Sequence, residues 1–169
     1  MNELPKRKNQ RLKEFDYCES GYYLVTICMK NRKEFFSKIL NNKSILTEFG
    51  KIIEEIWTNL PKFYNVEIDY YVIMPDHFHG IIILDRTLSK QTDNEYGFHS
   101  LSKIIGKFKS FTTKKIREKL KDKNEFQWQK SFYDRIIRNE KELYNIRKYI
   151  QENPLRWDIE KNNPENLEI

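Results

Sequence analysis

The chain has 169 residues, enough for one domain with a real core. Its 38% hydrophobic and 33% charged residues, with 11 Phe, 10 Tyr and 3 Trp, describe a globular protein with a polar surface and exclude a disordered chain. Lys and Arg number 31 against 25 Asp and Glu, a net charge of +6 that suits an anionic partner without identifying one.

Cys18 and Cys28 form neither a Cys-x-x-Cys pair nor a disulfide framework, so a reducing cytoplasm is the expected compartment. The first residues lack the apolar core of a signal peptide. No run approaches the roughly 18 apolar residues of a membrane span, so no membrane partner is expected. Residues 1–19 carry Lys6, Arg7, Lys8, Arg11 and Lys13 and read as a basic arm, suited to a phosphate backbone or simply solvated.

Gly21 to Met29 is rich in aromatic and β-branched residues and nearly continuous in hydrophobicity, as a central strand should be. Residues 30–44 are irregular, with Phe35, Phe36, Ile39 and Leu40 packing a loop or short turn. Phe49, Ile52, Ile53, Ile56 and Leu60 then recur at helical spacing, with Thr47 as N-cap and Pro61 as the expected end.

Val66 to Met74 reads as the second strand, and Pro75-Asp76 as a tight link into a third, His77 to Leu84. A strand puts alternate residues on one face, so His77 and His79 project side by side while Phe78 points away. Two imidazoles so placed are half a metal site or, as a bare His-x-His more often is, a pair of core or edge histidines. In a simple two-residue hairpin Met74 lies opposite His77 and Val72 opposite His79. Glu67 and Asp69 then fall on the other face, unless a bulge reverses them.

The polar stretch from Arg86 to Gly97 is expected to be a surface loop, and His99 a surface or cap residue. Ser100 to Leu120 reads as an amphipathic helix with Leu101, Ile104, Ile105 and Phe108 inward and Lys103, Lys107 and Lys114 outward. Basic and aromatic residues alternate in Lys107-Phe108-Lys109-Ser110-Phe111, a composition that fits single-stranded nucleic acid. Ser131 to Arg138 is the expected last strand. Asn139 caps a closing helix from Glu140 to about Glu152, which Asn153-Pro154 should stop. Tyr149 and Asn153, four residues apart, share one flank of its apolar stripe.

His77-Phe78-His79, within Met74-Pro75-Asp76-His-Phe-His-Gly, resembles the His-hydrophobic-His (HUH) motif of single-tyrosine transposases. Trp128 to Asp134, Ile137-Arg138-Asn139 and Tyr149 to Pro154 resemble, in the same order, later blocks of the REP-associated tyrosine transposases of that group. The likeness runs from about Gly21 to Pro154. Asp76 stands where many relatives have asparagine, a change expected to be tolerated in a turn.

The resemblance implies an α+β fold, a ferredoxin-like antiparallel sheet of about four to five strands with helices packed on one face. It divides the chain into a basic arm (1–19), a catalytic domain (20–155) and a tail (156–169). It implies that His77, His79 and Asn153 hold Mg²⁺ or Mn²⁺, and that Tyr149 attacks a phosphodiester of single-stranded DNA bearing a hairpin. A 5′-phosphotyrosine and a free 3′-hydroxyl result. A free phenol ionises near pH 10, so such a nucleophile needs its anion stabilised and the phosphate polarised, which a metal supplies. By analogy Arg11, Lys103, Lys107, Lys109, Arg135 and Arg138 are the expected DNA contacts. A monomer is favoured, with a homodimer sharing its sites as the alternative. Two other readings are a non-catalytic nucleic-acid-binding descendant and a metal-dependent phosphodiesterase that leaves no protein-linked product.

Overall fold

In the computed structural model, which describes residues 20–85 and 99–161, the elements run in this order: β1 (Gly21–Cys28), β2 (Ser37–Leu40), β3 (Lys43–Leu46), α1 (Glu48–Thr58), α2 (Leu60–Phe63), β4 (Val66–Ile73), β5 (His77–Leu84), α3 (Leu101–Lys119), β6 (Tyr133–Ile137) and α4 (Glu140–Lys161). The basic arm with Arg11, the loop beginning at Arg86 and the end of the tail lie outside the described residues.

The main sheet is antiparallel in the order β4-β5-β1-β6. Two crossovers build it. β1 and β4 run parallel with β5 between them, and β5 and β6 run parallel with β1 between them, the arrangement of a ferredoxin-like sheet. The α+β architecture expected from the sequence is therefore present.

Strand alternation divides the sheet into two unlike faces. Tyr23, Val25 and Ile27 of β1, with Phe78 and Ile82 of β5, are fully buried against α1 and α3 in a core that includes Ile53, Trp57, Ile105 and Phe108. On the opposite face Leu24, Ile81 and Ile137 make a smaller cluster with Ile146 and Ile150 of α4. The expectation of helices on one face thus holds for α1 and α3, while α4 covers the other. The chain leaves the edge strand β6 at Asn139, and the apolar stripe of α4 finds the uncovered residues there.

Thr47 caps α1 as expected, accepting from the Gly50 backbone N–H at 3.2 Å, a contribution of about 1 kcal/mol. Pro61 does not end a helix. It sits in the first turn of α2, where its missing N–H has no partner to lose. The stretch expected to be irregular contains the β2–β3 hairpin, whose turn residues Asn41 and Asn42 both take positive φ (50° and 59°). Asparagine tolerates that geometry better than most residues, and the paired Asn was the available signal.

The β4–β5 hairpin has the expected register, with Val72 opposite His79 and Met74 N–H donating to the His77 carbonyl at 2.8 Å. Pro75-Asp76 is an unusual turn for a hairpin, and bonds from outside hold it. The Pro75 carbonyl accepts from Phe35 and Phe36, and the Asp76 carbonyl from Met29. Further along, the pairing slips between Ile68 and Tyr71. That bulge turns Asp69 toward α4, where its carboxylate meets Arg147 at 2.6 Å. The slip also sets Glu67 opposite Ile83, so the assignment of both Glu67 and Asp69 to the other face is corrected, although the partner of Asp69 is an arginine and not a histidine.

Helix α4 also differs from expectation. It runs through Asn153 and Pro154 to Lys161, past the stop predicted near Glu152 and into the segment expected to be a tail. Proline removes one N–H and crowds the preceding turn. Burial of Asn153 and Pro154 and the packing of Trp157 beside His77, ring centroids 5.9 Å apart, offset that cost.

Candidate active site

Four elements converge on the α4 face of the sheet. β5 supplies His77 and His79, β1 supplies Thr26 opposite His79, the hairpin turn supplies Asp76, and α4 crosses above with Tyr149, Asn153 and Trp157. Both imidazoles are nearly buried, at 7% and 6% exposure, with ring centroids 4.7 Å apart.

Each imidazole is held through Nδ1. His79 Nδ1 lies 2.7 Å from the Thr26 hydroxyl. His77 Nδ1 is bonded to the Asp76 carboxylate, whose other oxygen takes the Arg32 Nε at 3.0 Å. A carboxylate accepts, so His77 donates from Nδ1, and in the neutral ring this tautomer leaves the lone pair on Nε2. With the Thr26 hydroxyl as acceptor, His79 presents its Nε2 lone pair likewise. This is the outer support that metal-ligating histidines commonly have.

The Tyr149 hydroxyl lies 3.4 Å from His79 Nε2, with the two rings edge to face at 5.3 Å. Burial, and then the neighbouring His77, push the His79 pKa down to about 3, so its ring is neutral near pH 7. Asn153 is buried one turn beyond Tyr149, as the spacing predicts. Among the described residues no group of three or more His, Cys, Asp or Glu is set to hold a metal ion. A cation here would therefore rely on two imidazoles, an amide oxygen and ligands from outside the protein. Mixed nitrogen and oxygen donors with open positions suit Mg²⁺ or Mn²⁺ better than a closed zinc site.

A groove of about 850 Å³ opens from Tyr149 and His79 along Thr26, Leu24 and Ile146 to Tyr133, Arg135, Arg138 and Lys141. Glu142 also lines it. Its carboxyl is held below the usual range by the Arg138 backbone N–H, then by Arg135, which it meets at 2.6 Å. Arg138 and Lys141 leave the groove basic.

The remaining candidates lie elsewhere. Lys103 and Lys107 are exposed on α3, on the other side of the sheet. Lys109 on the same helix is half-buried and donates to the Gln129 and Lys130 carbonyls, at 2.7 and 3.1 Å, tying down the segment before β6.

Sequence reasoning missed Thr26, Arg32 and Trp157. Thr26 had a signal, as a hydroxyl residue inside an otherwise apolar strand. Arg32 had none, because it reaches Asp76 through a turn in which Asn31 and Arg32 both take positive φ (62° and 52°). Asp76, expected to be an interchangeable turn residue, is a partner of His77.

Comparison with known proteins adds an independent line. Residues 17–153 match the model of the family described as "Transposase IS200 like". A Haemophilus influenzae protein described as uncharacterized is 35% identical over 90% of each chain. A second from that organism, assigned as a REP-associated tyrosine transposase, is 25% identical over 83% of this chain and 74% of its own. Among solved structures, a REP-associated tyrosine transposase bound to a REP hairpin aligns with TM-score 0.58 at 22% identity, covering 86% of this chain and 73% of that one. A protein from Deinococcus radiodurans assigned as a transposase aligns at 0.51 and 15% identity, covering 83% and 96%. At these identities both structures speak for the fold.

Proposed function

The chain belongs to the IS200-like transposase family, and on that premise we propose that it cleaves and rejoins single-stranded DNA with Tyr149 as the nucleophile. The observation that carries this is the 3.4 Å between the Tyr149 hydroxyl and His79 Nε2 within one chain. The Tyr149 oxygen attacks a phosphodiester phosphorus, and the bond to the 3′ oxygen breaks as the new O–P bond forms. The departing oxygen takes up a proton and becomes a free 3′-hydroxyl. The 5′ side stays on the protein as phosphotyrosine, so a 3′-hydroxyl can reverse the step without ATP.

His77 and His79 through Nε2, and Asn153 through its amide oxygen, would hold Mg²⁺ or Mn²⁺. When bound, the ion draws charge off the scissile phosphate and makes phosphorus more electrophilic. The depressed pKa of His79 makes it a poor proton acceptor at neutral pH, which favours the ligand role over that of general base. The phenol proton is lost to bulk solvent base through the open groove.

The groove past Arg138 and Lys141 offers the strand a basic path to Tyr149. Lys103 and Lys107 are the further candidates for phosphate contact, and Lys109, already bonded to carbonyls, is the weakest of the set. The relative solved with a REP hairpin supports a hairpin-bearing strand as the form of substrate. A tyrosine and two histidines meeting within one chain support a monomer.

Incubation with labelled single-stranded oligonucleotides carrying hairpins, with Mg²⁺ or Mn²⁺, followed by a denaturing protein gel, tests the reading. A covalent adduct that Tyr149→Phe cannot form is the expected result, with binding retained. Free products without adduct would mean a hydrolase, and binding without reaction a non-catalytic descendant.

A further inference from the structure

Of the groups around Tyr149, Arg156 is the one that the reaction just described leaves unused. It lies seven residues further along α4, on the flank that also carries Asn153. Its guanidinium carbon sits over the Tyr149 ring, 5.7 Å from the centroid. One Nη donates to Glu152 at 3.2 Å, one turn back, and Glu152 is also paired with Lys148 at 3.6 Å. The side chain is 55% exposed, and its other N–H groups have no partner among the described residues.

An attacked phosphate must occupy the space directly in front of the Tyr149 hydroxyl. A guanidinium 5.7 Å from the centre of that ring is within side-chain reach of this space, with donors still to satisfy. Guanidinium is the side chain whose planar fork best matches two phosphate oxygens, and it is charged at every relevant pH. The imidazole side of the site supplies no such donor, because His77 and His79 spend their Nδ1 atoms on Asp76 and Thr26. Arg32, the cation on that side, is already paired with the Asp76 carboxylate.

Resting on the nucleophile assigned above, we infer that Arg156 is a further catalytic residue, which binds the non-bridging oxygens of the scissile phosphate and neutralises the charge that grows on them during attack by Tyr149. Glu152 keeps the guanidinium over the ring while the site is empty. The role adds no proton or electron transfer to the step, since the extra charge on the phosphate oxygens is stabilised during attack and disperses as the bond to the 3′ oxygen breaks and the phosphotyrosine diester forms.

The test uses the hairpin oligonucleotide that wild-type protein captures, with the cleaved link mapped and then replaced by a methylphosphonate, which carries no negative charge there. On the ordinary phosphodiester, Arg156→Gln should slow single-turnover capture by ~10²-fold or more, as loss of one oxyanion donor does elsewhere. Arg156→Lys should recover part of that rate. On the methylphosphonate the gap between wild type and Arg156→Gln should nearly vanish, because the charge to be neutralised has been removed. An equal gap on both substrates, in variants with unchanged circular dichroism, would overturn the role, for a merely structural loss is blind to that charge. Absence of any wild-type adduct would instead overturn the nucleophile assignment itself, and this role with it.

Discussion

The two faces of one sheet are built from the same strands and do opposite work. On the α1–α3 face, Phe78 packs between Trp57 and Phe108, ring centroids 4.6 and 5.7 Å away, within a continuous aromatic and aliphatic core. On the α4 face, one residue along in either direction, stand His77 and His79 with Thr26, under a helix anchored by few apolar residues. The lesson is that a two-residue period lets a single strand separate stability from chemistry, so each can be varied with little effect on the other. Gly80 marks the limit of that independence. A Cβ there would come within 2.6 Å of the Trp57 indole and 2.7 Å of the Phe78 ring, so the residue beside the second histidine is set by the core behind it.

The sharpest way to break this comparison is to truncate each face in turn. Phe78→Ala leaves a cavity among fully buried rings and should cost about 3–5 kcal/mol, a large part of the stability of a domain this size. His79→Asn, one position on, should shift stability at pH 7.5 by only about 1 kcal/mol while removing covalent capture. Urea unfolding read beside the adduct gel decides it. If His79→Asn unfolds the chain as readily as Phe78→Ala does, the faces are not independent.

Acid should sharpen the contrast, because burial holds His79 on the α4 face well below the ordinary imidazole range. The His79 pKa lies near 3 in the folded chain against an ordinary value of 6.5. Below pH 6.5 the unfolded chain therefore binds a proton that the folded chain refuses. Stability from this group is complete above that pH and is lost progressively toward pH 3. Between pH 7.5 and 5 the loss should be about 2 kcal/mol, and His79→Asn should abolish that component of the urea-midpoint trend. Parallel trends in wild type and variant would mean that the imidazole is not held neutral.

How much of each face could be read from the sequence follows from the kind of signal each leaves. Period and capping disclosed β1, β5, α1 and α3, because those patterns are local and repeat. The meeting of His77, His79 and Tyr149 came through ordered motifs, since no spacing rule links residues seventy positions apart. A bulge near the hairpin was an open alternative but could not be placed in β4, because a register slip needs only one extra residue and alternation reads straight through it. The length of α4 escaped because Pro154 is a valid stop signal until the burial of that turn is known. Arg32 carries no local pattern at all, and Arg156, though at helical spacing from Tyr149, lay beyond the stop expected near Glu152.

The expected effect least tied to stability concerns Asp76, at the turn where the two faces are joined. Its carboxylate accepts from His77 Nδ1 and pairs with Arg32, so it fixes which nitrogen of His77 faces the site. An asparagine can still accept through its amide oxygen, which preserves the tautomer, but it loses the negative charge and with it the attraction to Arg32. Asp76→Asn should therefore weaken Mn²⁺ binding by roughly 3- to 10-fold, and Asp76→Ala, which removes the acceptor as well, by about 10- to 100-fold. Titration calorimetry with Mn²⁺ measures both without reference to catalysis. Asparagine and alanine variants of equal affinity would mean that the turn only shapes the hairpin, and that His77 is oriented by its strand alone.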